Sequence, residues 1–398
     1  MLPNVKIEFK NGQLGSVAPS ADCVVGMVAT AVAVDGKLTL QKPYILYRTE
    51  GLEDLGVTSA INDVNSHLYK VVKDFYAQAG DGAELWLYPI AVGTKQSEAL
   101  EASKEFIKKS NGRIRCLAIA CALDADDLSI EKGLDSDVMV AVAKAQEIGE
   151  WATNTLYAPL FTILEGKGYS NDTIIDMPDL TESDYNRVGV LIGDTIASSA
   201  CAAIGVLAGR IAACPVQRHI GRVRDAALAM DACYIGDKEA SIADAETLNN
   251  KGYITFRCFV GKSGYFFTDD CLATAVADDY RSIARRRTID KAYRIAYTTM
   301  LNHVNDEIPV TNDGTLVPSL CKAWEAEMET AIASQMTANG ELGADPTDDN
   351  DTGVQCYIDY NQKVLATSRI EMTLSVKPYG YAKYIDVKLG FLTSNTEQ

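Results

Sequence analysis

The residue types that most often carry catalysis lack, in this chain, the spacing that catalysis needs. The segment GKS at 261–263 resembles the end of a phosphate-binding loop, but the upstream glycine of that motif falls at Phe256, inside a predicted strand. A hairpin turn accounts for the segment better. The chain has three histidines, none with a second His or Cys at zinc spacing: His67, His219 and His303. We therefore expect no nucleotide, no metal and no other cofactor.

Carboxylates are more abundant, but their positions favour structural roles. The acidic run around 345–351 lacks the spacing and the terminal Glu of a calcium loop, and it predicts a solvated linker. The adjacent pairs at 269–270 and 278–279 fall near predicted helix starts, where negative charge favours the helix dipole. No acid–base or nucleophile set converges, so we expect a protein that is not an enzyme.

One basic cluster stands out in an otherwise acidic chain. Within a predicted helix, Arg287, Lys291 and Arg294 follow one another at i, i+4 and i+7 and so share a face. Arg281 and Arg285 form a neighbouring i, i+4 pair. A concentrated basic face indicates a negatively charged partner surface. Internal ion pairing with nearby carboxylates is the alternative, and the candidates are Asp278, Asp279 and Asp290.

Composition sets the broad class. The 398 residues are 47% hydrophobic and 23% charged, which is typical of a globular protein with room for two or three domains. The net charge of −17 argues against direct binding to nucleic acid or to an anionic membrane. No apolar run is long enough to cross a bilayer and the first residues do not resemble a secretory signal, so we expect a cytoplasmic start. The ten cysteines lie in apolar segments and are expected to be reduced core residues.

The order of apolar segments predicts the first fold unit. Between 21 and 250, near-continuous apolar strands alternate with helical patterns. That order predicts an α/β domain with a mostly parallel sheet covered on both faces. Gly205 and Gly209 lie in a helix of small residues and are expected to allow close helix packing.

The second half has a different pattern. Residues 253–270 predict a hairpin, and long helices are predicted over about 274–306 and 318–338. After the acidic linker, three strand patterns close the chain. We therefore predict a C-terminal α+β domain over 251–380.

Both ends of the chain carry the alternation of a strand with one buried face. The apolar residues are Val5, Ile7 and Phe9 at one end and Ile385, Val387, Leu389 and Phe391 at the other. Pairing inside the parent domain is the commoner outcome for such segments. Addition to the sheet edge of a neighbouring chain is the alternative, and it would give affinity through main-chain hydrogen bonds.

Several stretches in order resemble the contractile tail sheath proteins of phages, R-type tailocins and contractile injection systems. They are AINDVNSHLYKVVKDFYAQAGDGAELWLYPIA near the start, LNNKGYITFRCFVGKSGYFFTDDCLA, DDYRSIARRRTID and the closing VQCYIDYNQKVLATSRIEMTLSVKPYGYAKYIDVKLGF. The tryptophan often found beside the arginine helix is absent, with Tyr280 near that place. Residues 95–245 show no alignable resemblance, so the arrangement of the outer part is left open.

The resemblance implies strand exchange between subunits. Residues 1–20 and 381–398 would be exchange arms, and 251–380 would be the inner sheath domain. The receiving edge would come from 369–377, where the apolar residues alternate: Ile370, Met372, Leu374 and Val376. An arm of 20 residues reaches about 65–70 Å when fully extended, which is ample for a neighbour.

The resemblance also implies a mechanism and partners. Subunits would polymerise helically around an inner tail tube, then contract from a metastable state and drive the tube through a target envelope. The basic face Arg281, Arg285, Arg287, Lys291 and Arg294 would contact the tube. Baseplate and terminator proteins would be further partners, with assembly in the bacterial host cytoplasm and a final place in a virion tail or injection particle.

Two other interpretations stay open from the sequence. One is a cytoplasmic α/β enzyme of unknown reaction with a C-terminal oligomerisation sheet. The other is a capsid or baseplate component that uses the same arm exchange without contracting. The enzyme would be a small oligomer with its ends paired at home, whereas the baseplate component would form rings or discs.

Overall fold

A computed structural model describes residues 21–59, 65–122, 127–348 and 350–391. Its strands are β1 (Val25–Ala31), β2 (Tyr44–Leu46), β3 (Leu85–Ala91), β4 (Cys116–Ala120), β5 (Ile130–Glu131), β6 (Leu134–Asp135), β7 (Phe161–Glu165), β8 (Asp184–Tyr185), β9 (Val188–Leu191), β10 (Tyr234–Ile235), β11 (Lys238–Glu239), β12 (Phe256–Phe259), β13 (Lys262–Phe267), β14 (Ala273–Thr274), β15 (Val354–Ile358) and β16 (Met372–Val376). Its helices are α1 (Glu50–Asp54), α2 (Ser66–Ala79), α3 (Gln96–Lys109), α4 (Asp137–Leu156), α5 (Ile204–Ala213), α6 (Ala245–Asn250), α7 (Ile283–Met300), α8 (Pro318–Ile332) and α9 (Val364–Thr367).

A six-stranded sheet organises the first half of the chain. Its order is β2-β3-β1-β4-β7-β9, and every neighbouring pair is parallel except β2 with β3. All residues of β1, β4, β7 and β9 are buried, because helices cover both faces of the sheet. The prediction of a mostly parallel, covered sheet is confirmed.

The covering helices pack in pairs. Helices α2 and α5 contact each other, as do α3 and α4. The α2–α5 pair lies unusually close, since a Cβ added at Gly205 would overlap the carbonyl of Val71 and one at Gly209 would overlap that of Phe75. The predicted packing role of these two glycines is therefore confirmed.

A second, smaller core lies beyond residue 283. Helices α7 and α8 pack together, and β15 and β16 pack against them through apolar residues such as Met328, Ile332 and Cys356. In contrast, β12, β13 and β14 belong with the core of the large sheet, and Ile254 bridges in parallel to Leu191 at its edge. The last residue of the large core is Ile283 and the first of the smaller core is Ala292, and the domain boundary near 250 stays a prediction.

The predicted long helix begins later than its periodicity suggested. Ala273 and Thr274 pair with β8, and α7 starts only at Ile283. The carboxylate of the fully buried Asp270 accepts hydrogen bonds from the hydroxyl of Ser282 and the backbone N–H of Ala284, which fixes the start of the helix. Helix α8 agrees with its prediction and continues as a π-helical turn over Ala333–Thr337.

The last predicted strand takes no ladder partner in the described part of the chain. Residues 377–391 follow β16 without regular secondary structure. In the described residues β15 and β16 form a two-stranded sheet by themselves. The hairpin predicted over 253–270 is present as β12 and β13.

Candidate functional site

The two-stranded sheet at the C-terminal end is the first part of the candidate site. Strands β15 and β16 pair antiparallel from Val354 opposite Val376 to Ile358 opposite Met372. Met372, Leu374 and Val376 are half-buried and pack toward the second core, while the residues between them are exposed. The predicted alternation of 369–377 is therefore present, with its apolar face turned to α7 and α8.

One edge of this sheet is covered by α8. Glu329 accepts a hydrogen bond from the backbone N–H of Cys356 at 2.8 Å, and Glu325 accepts one from that of Ile358 at 2.8 Å. Both N–H groups belong to β15, which runs beside α8. Burial opposes ionisation, but the hydrogen bonds from Lys322 and Ile358 lower the pKa of Glu325. Carboxylates that occupy edge N–H groups prevent another strand from pairing there.

The other edge, along β16, has no neighbouring strand in the described residues. Beyond it, the C-terminal segment presents a row of exposed apolar side chains. Relative exposure is 77% for Ile385, 79% for Val387, 96% for Leu389 and 101% for Phe391. An alternating apolar row with no surface to cover it has the properties of a donor strand.

The residues predicted for the N-terminal arm, Val5, Ile7 and Phe9, lie outside the described residues. The described chain begins at Ala21, in what we call the N-terminal root, residues 21–24. Ala21 and Asp22 line an open cleft of about 770 Å³ between the two cores.

The predicted basic face of α7 holds this root. Lys291 and Arg294 contact the Asp22 carboxylate at 2.6 and 2.9 Å, and Lys291 also contacts Glu341 at 2.7 Å. The guanidinium of Arg287 donates to the carbonyl oxygens of Asp22 and Cys214. Burial raises the pKa of Asp22, but hydrogen bonding and charge from Lys291 and Arg294 outweigh it, so the pKa lies below its ordinary value.

The members of the basic face differ in how far their side chains are buried. Arg287 and Lys291 are buried, whereas Arg281 and Arg285 are partly exposed. Asp290, one of the carboxylates considered above as an internal partner, forms ion pairs with Arg286 at 2.7 Å and with Arg187 at 3.1 Å, neither of which belongs to the predicted face. Arg281 lies before α7, which begins at Ile283, so its predicted pairing with Arg285 along one helix is wrong. A tube contact at this surface stays a prediction, with Arg281 and Arg285 its partly exposed members.

The start of the C-terminal segment, residues 377–383, is fixed to the same region; we call it the C-terminal root. The hydroxyl of Tyr381 donates to the carbonyl of Gln217 at 2.6 Å. The ammonium of Lys383 contacts both carboxylate oxygens of Asp269, at 2.6 and 2.7 Å. His219 lies between them, with Nε2 at 2.9 Å from Asp269 and its ring against that of Tyr381.

The imidazole of His219 has a defined tautomer when neutral. The backbone N–H of Gly221 donates to Nδ1, so the ring proton lies on Nε2 and faces Asp269 and Asp270. Burial favours the neutral ring, but the two carboxylates outweigh it and raise the pKa of His219. A metal at Nε2 would need Nδ1 to carry the proton, which the Gly221 contact opposes. These residues therefore fit a structural contact that holds the C-terminal root better than they fit a metal site.

The carboxyl edge of the parallel sheet is where α/β proteins commonly bind ligands. Here, just after β1, the side-chain amide of Asn65 accepts a hydrogen bond from the backbone N–H of Val32 and donates one to its carbonyl. Glu165 and Lys167 form a fully buried ion pair at 3.1 Å, and Lys167 also donates to the carbonyl of Cys121. Side chains thus fill much of this edge in the described residues, but the buried Nε2 of His67, beside Glu165 and Cys201, has no hydrogen-bond partner there.

The sequence did not identify the acidic partners in these contacts. Asp22 and Arg294 are 272 residues apart in the chain. Glu325 and Glu329 stand at i, i+4 in a helix, where an exposed polar face is the usual interpretation. For His219, its place in a polar segment was the available signal, but no spacing linked it to Asp269.

No helix in the described residues is long and apolar enough to cross a membrane. The fold, however, has clear counterparts among solved structures, of which we give three. A chain in the cryo-EM structure of the anti-feeding prophage (AFP) baseplate has a TM-score of 0.63 and 16% identity, with 99% of each chain covered. The helical sheath of AFP in the contracted state has a TM-score of 0.61 and 16% identity, covering 98% of this chain and 99% of the other. The contracted PVC sheath complex of an extracellular contractile injection system has a TM-score of 0.58 and 14% identity, covering 98% and 97%.

The chain therefore has the fold of the contractile sheath proteins, which the sequence resemblance predicted. Two family models match it in sequence: the DUF2586 N-terminal domain over residues 2–271 and the DUF2586 C-terminal domain over residues 279–396. The chain belongs to the DUF2586 family. No curated protein matches it in sequence.

Proposed function

We propose that this chain is the structural subunit of a contractile sheath. In this proposal, subunits polymerise helically around an inner tail tube by exchanging terminal strands. Contraction then drives the tube through a target envelope. Assembly takes place in the host cytoplasm, and the finished polymer is part of a phage tail or an injection-system particle.

The observation that carries the proposal is that one chain has both an exposed strand-like segment and a strand edge without a described partner. The segment 384–391 exposes an alternating apolar row, and the β16 edge has no described partner strand. A donor strand and an acceptor edge on the same molecule are the requirement for head-to-tail polymerisation. The agreement of the whole fold with sheath proteins adds support, because it extends over 98–99% of this chain in three structures.

The geometry of α8 specifies where donated strands would add. Glu325 and Glu329 occupy N–H groups of β15, so we propose that the first donated strand pairs with β16. A second donated strand would then pair with the first. The apolar faces of both would extend the layer formed by Met372, Leu374 and Val376.

A tube contact at the predicted basic face would use the residues at and just before the start of α7. Arg281 and Arg285 are the accessible cations of the predicted face, whereas Arg287 and Lys291 are engaged within the chain. Exposed charge pairs contribute about 0–1 kcal/mol each, which suits a contact that must release during contraction. The tube, baseplate and terminator proteins are the proposed partners beyond the chain itself.

Negative-stain microscopy of the purified full chain tests the proposal. We expect long helical tubes of uniform diameter. Removing 1–18 or 382–398 should leave a folded monomer that forms no tubes. A small globular oligomer, unchanged by either deletion, would contradict the proposal and favour the enzyme interpretation.

A baseplate component is the second candidate. It is favoured by one observation, the match to a chain in the AFP baseplate structure. The two candidates differ in the length of the assembly. Rings or discs of limited height, in place of tubes, would select the baseplate component.

A further inference from the structure

The two arm roots meet the same short segment of the protein. Residues 214–219 follow α5 directly and have no regular secondary structure. The N-terminal root reaches this segment through Cys23, whose Sγ lies 3.6 Å from the carbonyl oxygen of Cys214. The C-terminal root reaches it through Tyr381, whose hydroxyl donates to Gln217.

Arg287 connects the N-terminal root to this segment. One guanidinium nitrogen donates to the carbonyl of Cys214 at 2.8 Å and to that of Asp22 at 3.5 Å. The other donates to the carbonyl of Pro215 at 3.4 Å. The side chain is buried, so these bonds form where water does not compete. A planar guanidinium with several donors can hold two backbone segments in a fixed relation.

The C-terminal root is tied at two further points. The ring of His219, at the end of the segment, packs against Tyr381 and bonds to Asp269, which also holds Lys383. The next residue, Asp270, fixes the start of α7, and Arg287 follows one turn later on that helix. The segment 214–219 and the first turns of α7 therefore contact both roots.

We propose that residues 214–219, together with Arg287, are a junction that fixes the directions of the two arms relative to each other. Breaking a contact between either root and this junction would then loosen both roots, whereas breaking a contact elsewhere on one root would loosen that root alone. The inference rests on the proposed function, since it gives the roots a role in strand exchange. In the assembled sheath, the junction would set the spacing between the neighbour that receives one arm and the neighbour that receives the other.

Hydrogen exchange measured by mass spectrometry on the full, unassembled chain tests the coupling. Tyr381→Phe removes one hydrogen bond to Gln217 and leaves the ring in place. We expect exchange to become about fivefold faster in peptides that cover residues 377–384 and also in those that cover 21–28, because one hydrogen bond contributes about 1 kcal/mol. Arg287→Met perturbs the N-terminal root first. Because coupling is reciprocal, we expect it to speed exchange in the C-terminal root as well.

Matched controls separate coupling from local loosening. Arg294→Met removes a contact to Asp22 but touches no residue of 214–219, so only the N-terminal root should respond. Lys377→Met removes a contact to Asp351 at the start of the C-terminal root, so only that root should respond. Thermal unfolding of each sample checks that the fold persists.

The two proposals fail in different ways. If Tyr381→Phe leaves exchange at 21–28 at the wild-type rate, the roots are independent and the junction is wrong, even when tubes form normally. If wild-type protein forms no tubes, the sheath proposal fails, whereas the exchange comparison still decides the coupling. Should Arg287→Met prove unstable, Tyr381→Phe alone is decisive.

Discussion

Charged substitutions in the exposed C-terminal row give the sharpest test of strand donation. The side chains of Leu389 and Phe391 are almost fully exposed in the single chain, so replacing both with Asp should not change its stability. In a sheath, both would be buried against a neighbour. Burying one such side chain contributes about 1.5–3 kcal/mol, so the pair contributes about 3–6 kcal/mol per arm.

That loss has a large effect on assembly. At about 1.4 kcal/mol per tenfold change, the threshold concentration for tubes should rise by a factor of about 10²–10⁴. Sedimentation across a dilution series measures the threshold, and thermal unfolding of the monomer serves as the stability reference. We expect no tubes at concentrations where the wild-type chain is fully polymerised.

The control uses the opposite face of the same segment. Asp386→Asn with Lys388→Gln changes two exposed residues that alternate with the apolar row. A donor strand with one buried face should tolerate this change. Tubes that form at the wild-type threshold in the Leu389→Asp/Phe391→Asp variant would refute the reasoning. So would an equal loss of tubes in the control.

Two further predictions concern the folded subunit. Gly205→Ala should destabilise it by about 1–3 kcal/mol in urea unfolding, because the new methyl group meets the carbonyl of Val71, whereas Gly380→Ala, with open space around it, should be neutral. If both are neutral, the α2–α5 contact is looser than described. The pKa of Asp22 in the folded state lies below its ordinary value. Its ionised carboxylate therefore contributes to the free energy of unfolding above pH 3.8, and this contribution is lost as the pH falls through the folded pKa. The stability difference between wild type and Asp22→Asn should therefore be about 1–2 kcal/mol near neutral pH and shrink as the pH falls below 3.8 and through the folded pKa, and a difference independent of pH would argue against the ion pairs with α7.

The sequence predicted the large sheet well because its signal is local. A strand buried on both faces reads as a short apolar run, as in CLAIA of β4, and each such run is interpretable without knowing its neighbours. The small residues at 205 and 209 likewise indicated a close helix contact before any partner was known.

The basic face was harder to interpret because its partner is distant in the chain. The spacing of Arg287, Lys291 and Arg294 correctly placed the charges on one helix face. Whether that face meets solvent or another part of the chain depends on where Asp22 and Glu341 lie, and helical periodicity carries no information on that. The late start of α7 has a similar cause, since the carboxylate of Asp270 fixes it from outside the helix.

The covered edge of β15 has a consequence for the shape of any polymer. With Glu325 and Glu329 on the β15 side, the proposed addition of strands to this two-stranded sheet would take place along β16, so each such contact would have a direction. A filament built from such contacts is polar. Its first layer exposes acceptors that lack a donor, and its last exposes donors that lack an acceptor. Growth rates at the two tips should then differ, and each tip requires a chemically distinct cap to stop elongation.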